Sequence, residues 1–164
     1  MLSTSEDDRQ DHREVMNPYN IREALLAKHA QHVVLIHFPI ALFLVGVAFD
    51  FAAYFTKRSA LALAAYYNFV VAAISSLPVI ATGLLAWRFQ LEGQKLKGIL
   101  LQHLVLGVTS GVMICLTWYV HFRSRRTSQP APPRFRLPLE LVAAGLIALT
   151  AHLGGYLTGV NIPG

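Results

Sequence analysis

Four apolar stretches, at about residues 33–55, 60–87, 98–122 and 137–160, each reach the roughly 17–25 residues that carry a helix across a bilayer. They decide the solvent in which this chain folds. Backbone amides in hydrocarbon must be satisfied within their own segment, so a stretch of that length reads as a helix. The chain is 54% hydrophobic and 14% charged, with mean hydropathy +0.46, against roughly 45–50% and 25% for an ordinary soluble domain. That balance argues against a disordered chain, a disulfide-stapled secreted module and a multidomain soluble enzyme. The expected fold is all-α: an integral membrane four-helix bundle over residues 32–160, up-down-up-down, behind a short polar N-terminal segment.

Residues 1–31 open on an acidic cluster (Glu6, Asp7, Asp8, Asp11) and lack the apolar core of a signal peptide, so the tail is read as retained. Ile21, Ala24, Leu25 and Lys28 fall at helical spacing, which suits an amphipathic helix in the membrane interface over 20–31; a soluble linker helix fits equally. The net charge of +5 is spread over short connections between apolar blocks, the pattern of membrane loops, and no nucleic-acid partner is expected. Cys115, the single cysteine, lies inside an apolar run and has no partner for an intrachain disulfide.

Alternating spans place both termini and the connection between spans two and three on one side. The opposite side carries Lys57, Arg58, Arg123, Arg125, Arg126, Arg134 and Arg136; the termini side carries Arg22, Lys28, Arg88, Lys95 and Lys97. Seven against five favours an Arg-rich loop in the cytoplasm, with termini on the outer, periplasmic face of a bacterial inner membrane. Pro78 lies inside the second span, where Ser75 and Ser76 can help to satisfy the backbone groups it frees.

Histidines are the informative polar residues. His37 lies near the start of span one, His103 near the start of span three and His152 towards the end of span four. All three therefore fall roughly 6–12 Å below the termini-side surface, with His32 just above them. His103 shares a helical stripe with Gly107, Ser110 and Gly111, and His152 shares one with Ala144, Gly145, Ala148 and Gly155. Such faces permit close helix packing, and Gly107 with Gly111 is a GxxxG pair. They also leave room for the edge of a flat macrocycle, and iron in such a bundle is commonly held by axial imidazole. Ligation of b-type haem by two of His37, His103 and His152 is the leading expectation; structural hydrogen bonding and a quinone pocket are the competing ones. A second haem would have to use His32. Zinc would call for three or four converging ligands, usually with thiolate or carboxylate among them; copper suits imidazole and stays open as an alternative, although its usual thiolate and thioether helpers are absent nearby.

His121 follows His103 by eighteen residues, on the same face but about 27 Å lower. Asp50, seven residues before Lys57, reads as half of a snorkelling ion pair, with no second acid or base at its depth to form a proton relay. Tyr54, Tyr66, Trp87, Trp118 and Tyr119 lie towards span ends as an aromatic belt.

The string His32-Val-Val-Leu-Ile-His37-Phe-Pro-Ile-Ala, the Gly83-Leu-Leu-Ala-Trp87 end of span two, His103 and His152-Leu-Gly-Gly155 together resemble a large family of small four-span bacterial membrane proteins of unknown function. The resemblance covers roughly residues 30–160. It implies the four-span fold, functional weight on His32, His37, His103 and His152, and the company of respiratory or cytochrome components. Similar sequences tend to carry one more histidine after HLGG, where this chain reads Leu157-Thr158-Gly159-Val160-Asn161. With no room for a catalytic domain beside four spans, the expectation is a membrane-anchored electron-transfer subunit. It would bind haem b and pass electrons between a redox partner and quinone. The alternative is a haem-free structural subunit of a redox complex that contacts quinone or lipid. The partners to expect are lipid, other membrane or peripheral redox subunits, and copies of itself.

Overall fold

A computed structural model describes residues 28–89, 95–127, 133 and 135–157. It contains four helices: α1 (Lys28–Thr56), α2 (Ser59–Phe89), α3 (Gly98–Arg126) and α4 (Arg136–Leu157). All four are long and apolar enough to cross a membrane. Each packs on its neighbour in sequence, and α1 closes the ring against α4. The α1–α2 interface is the most extensive and the α1–α4 contact the slightest.

Two of the expected boundaries move. Residues 28–31 continue into α1 without a break, and 20–27, the rest of the expected interfacial helix, lie outside the described residues. Helix α3 runs four residues past the expected end, to Arg126. Its last turn holds Arg123, Arg125 and Arg126, whose charge suits the negative end of the helix dipole. Arg125 stacks over Tyr66 and Arg126 over Phe122. The end of span four beyond Leu157 is not among the described residues.

Two prolines lie inside helices without ending them, Pro39 in α1 and Pro78 in α2. The hydroxyls of Ser75 and Ser76 donate to the carbonyls of Ala72 and Ala73. They do not reach the Ile74 carbonyl, which is the one that Pro78 leaves without its i+4 donor. The α1–α2 link is two residues long: Lys57 takes a left-handed conformation (φ 58°) and turns the chain out of α1. Gly98, at φ 57°, does the same on entry to α3.

The core is narrow, as expected where lipid covers the outside. Phe43, Val47, Ala65, Phe69, Ala72, Ala73, Ile114, Ala143 and Ile147 form it, while Leu44, Val71, Ile74, Val112 and Val142 face outward. Gly46 is needed for the α1–α2 contact, because a Cβ there would fall 2.8 Å from the buried Phe69 ring. A Cβ on Gly111 would meet Ile80 Cδ1 at 2.7 Å, and the Phe69 ring centroid lies 4.8 Å from that of His121. These two contacts fix the antiparallel register of α2 on α3.

Candidate functional site

At the termini end, the four expected histidines occupy three different places. His32 sits in the α1–α2 seam. The Thr82 hydroxyl donates to Pro78 and Val79 carbonyls, so its oxygen accepts from His32 Nδ1–H at 3.1 Å. Gly83 makes room, since a Cβ there would lie 3.0 Å from His32 Cε1. His103 is half-buried in the α3–α4 seam; its Nδ1–H donates to the Thr150 carbonyl at 3.1 Å, and its ring fills the space left by Gly154. Ser110 donates to Thr150 Oγ1 at 3.0 Å, because the Thr150 hydroxyl proton is engaged by the Leu146 carbonyl. His37 is exposed, with its Nδ1–H on the Val33 carbonyl of its own helix at 2.7 Å. His152 is exposed and packs edge-on to Tyr156.

The structure does not bring His103 and His152 together. Thr150 and Gly154 face His103, and His152 is two residues from each, which puts it on the far side of α4. The room expected beside the α3 glycines is taken: Thr150 Cγ2 of α4 approaches Gly107 and Ile80 of α2 fills the space beside Gly111, whereas a Cβ on Gly145, on the His152 stripe, would meet nothing within 4 Å. Gly107 and Gly111 serve helix packing, and no macrocycle fits beside them.

A second constellation lies at the Arg-rich end. Three helices each place polar residues on their core-facing stripe: α1 follows Phe43 and Val47 with Asp50, α3 follows Ser110, Ile114 and Thr117 with His121, and α4 precedes Ala143 and Ile147 with Arg136 and Glu140. Spacings of three, four and seven residues keep each set on one face. The cluster lies within two turns of the ends of α1, α3 and α4. Arg136 Nε donates to Asp50 Oδ2 at 2.6 Å, and His121 Nε2 donates to Glu140 Oε1 at 2.9 Å. Asp50 is 2% exposed and Glu140 fully buried. The ligand atoms of Asp50, His121 and Glu140 all lie within 4.8 Å of one another, and no other such group of three occurs among the described residues. Glu140 Oε2 and Thr117 Oγ1 are buried with no hydrogen-bond partner among the described residues.

This corrects the expectation for Asp50. Its partner is Arg136, not Lys57, whose left-handed backbone leads away from the helix and whose ammonium rests 4.4 Å from the Tyr54 ring centroid. It also has an acid and a base beside it, Glu140 and His121. Sequence reasoning counts Arg136 among the loop charges and passes over Glu140. The available signal is the i, i+4, i+7, i+11 series Arg136, Glu140, Ala143, Ile147, which sets two charges on an otherwise apolar face.

Charge arithmetic limits what this site can hold. Asp50 and Arg136 cancel, and Glu140 with a protonated His121 cancels as well, so one proton on the His121–Glu140 pair makes the cluster neutral. A divalent cation in place of that proton would leave one net positive charge in a low-dielectric core, where unbalanced charge is costly. The donor set is suited to protons.

No curated protein and no solved structure matches the chain. A family model described as "Predicted membrane protein (DUF2231)" matches residues 28–160, which takes in all four helices. The chain belongs to this family of membrane proteins.

Proposed function

We propose that the chain is a proton-handling membrane subunit whose working group is the His121–Glu140 pair beside Asp50 and Arg136. The observation that carries this reading is the 2.9 Å bond between His121 Nε2 and Glu140 Oε1, with both residues buried. Ionisable side chains inside a membrane are expensive and typically mark ion pathways or proton relays. Here two carboxylates, an imidazole and a guanidinium lie together, and with Arg136 balancing Asp50 one proton on the His121–Glu140 pair brings the total charge to zero.

Infrared difference spectroscopy of the reconstituted protein through a pH titration tests this directly. The expected result is a protonated-carboxyl band that changes with pH and is lost in Glu140→Gln. A titration with no carboxyl change from this residue rejects the reading.

A second reading, electron transfer through haem b to quinone, is favoured by one observation. His37 Nδ1–H is anchored on the Val33 carbonyl, which leaves the lone pair on Nε2 of an exposed ring, the arrangement that ligating histidines adopt. His37 and His152, on the outer surface of the bundle, are its ligand candidates. A purified protein without a Soret band eliminates it.

A further inference from the structure

We infer that the cleft at the C-terminal end of α3 is a binding site for one anionic phospholipid, whose phosphate sits on Arg123 and whose acyl chains lie on the outward stripe of α3. The site is separate from the His121–Glu140 pair and stands without the proton-handling reading.

The cleft, of about 320 Å³, lies between the last turns of α3 and the start of α4. Tyr119, Arg123 and Thr127, at i, i+4 and i+8, form one wall with Ser124 beside them, and Pro133 and Phe135 form the other. Backbone bonds to α4 hold the second wall in place: the Pro133 carbonyl accepts from the Arg136 N–H at 3.2 Å and the Phe135 carbonyl from the Leu139 N–H at 3.1 Å. The donors select the ligand. Ser124 and Thr127 donate their hydroxyl protons to the Val120 and Arg123 carbonyls of their own helix, which leaves the Arg123 guanidinium and the Tyr119 hydroxyl as the side-chain donors of the cleft. A guanidinium fork matches the geometry of a phosphate.

The charge at this end calls for an anion. Among the described residues the only acids are Asp50 and Glu140, both buried and bonded to Arg136 and His121. Lys57, Arg58, Arg123, Arg125 and Arg126 therefore have no acidic partner among those residues. Lys57, Arg125 and Arg126 rest on the rings of Tyr54, Tyr66 and Phe122, whereas Arg123 is exposed and lines the cleft. Cations at the membrane surface attract anionic headgroups, while a zwitterionic headgroup would bring one more cation to a surface that is already positive.

A lipid is distinguished from a free phosphate by the surface that leads away from the cleft. Val105, Val108, Val112, Leu116 and Tyr119 are all exposed, and steps of three and four residues keep them on one face of α3. From Tyr119 to Val108 this stripe runs roughly 16 Å, about half of the ~30 Å hydrocarbon thickness and so the depth that the chains of one leaflet cover. One molecule with a phosphate and two apolar chains fits both the cleft and the stripe.

Native mass spectrometry of the full-length protein, titrated separately with phosphatidylglycerol, phosphatidylcholine and inorganic phosphate, tests the site. The parent is expected to bind one phosphatidylglycerol about fivefold more tightly than phosphatidylcholine, the effect of one surface cation on an anionic lipid. Arg123→Gln should remove that preference. Arg58→Gln, which deletes the same charge outside the cleft, should reduce it by less than about twofold. Both arginines are exposed, so neither replacement disturbs packing. A parent without the preference, or an Arg123→Gln loss no larger than that of Arg58→Gln, overturns the site. Inorganic phosphate bound as tightly as phosphatidylglycerol assigns the cleft to a free anion and overturns the lipid.

Discussion

Arg136→Leu is expected to lower the stability of the bundle by about 3–5 kcal/mol, because it strands the Asp50 carboxylate in the core. Asp50 is 2% exposed and its bond to Arg136 Nε is 2.6 Å long. Removing the guanidinium therefore exposes the full desolvation cost of a carboxylate and gives back none of it. The position amplifies the effect. Helices α1 and α4 share the slightest interface in the ring, and this ion pair spans it across 86 residues of chain. Asp50→Leu added to Arg136→Leu should recover most of the loss, since replacing a buried ion pair by apolar residues is often neutral or stabilising. Denaturant unfolding in detergent micelles reads both variants. A single variant within about 1 kcal/mol of the parent, or a double variant no better than the single, contradicts this account.

The spans were legible for a physical reason that also hid the site. Lipid as solvent demands long apolar runs, so four helices and their alternation follow from composition alone, and only the ends shift. Depth along each helix is equally readable, since rise per residue is fixed. Direction around the helix axis is harder to read. His37, His103 and His152 share a depth, yet His103 faces the α4 seam while His37 and His152 face outward. The decisive partnerships are long-range: Asp50 with Arg136, and His121 with Glu140. Read along the chain, Asp50 pairs most simply with Lys57, because nothing local reveals that the two-residue link turns Lys57 away. Arg136 looks like the last charge of a basic loop, but it is the first residue of α4 and is buried. The glycines mislead in the opposite sense. Space beside Gly107 and Gly111 suggests a ligand in the sequence, whereas the Thr150 methyl group and Ile80 occupy it.

The second large effect separates architecture from function at the His121–Glu140 pair. His121→Leu leaves Glu140, fully buried, with neither oxygen partnered, and a loss of about 3–5 kcal/mol is expected. Glu140→Leu strands only an imidazole, which can be neutral, so a loss nearer 1–3 kcal/mol is expected. In the double variant both polar groups are gone and the volumes remain close, so its stability should return to within about 1–2 kcal/mol of the parent. Unfolding of all four proteins in one detergent closes the cycle; strictly additive losses would mean that the pair is not coupled as its 2.9 Å bond requires. A pair that leucines can replace with little loss of stability is not maintained for stability. The double variant is therefore the form in which proton handling can be tested on an intact bundle, and it should fold while lacking the pH-dependent carboxyl band of the parent.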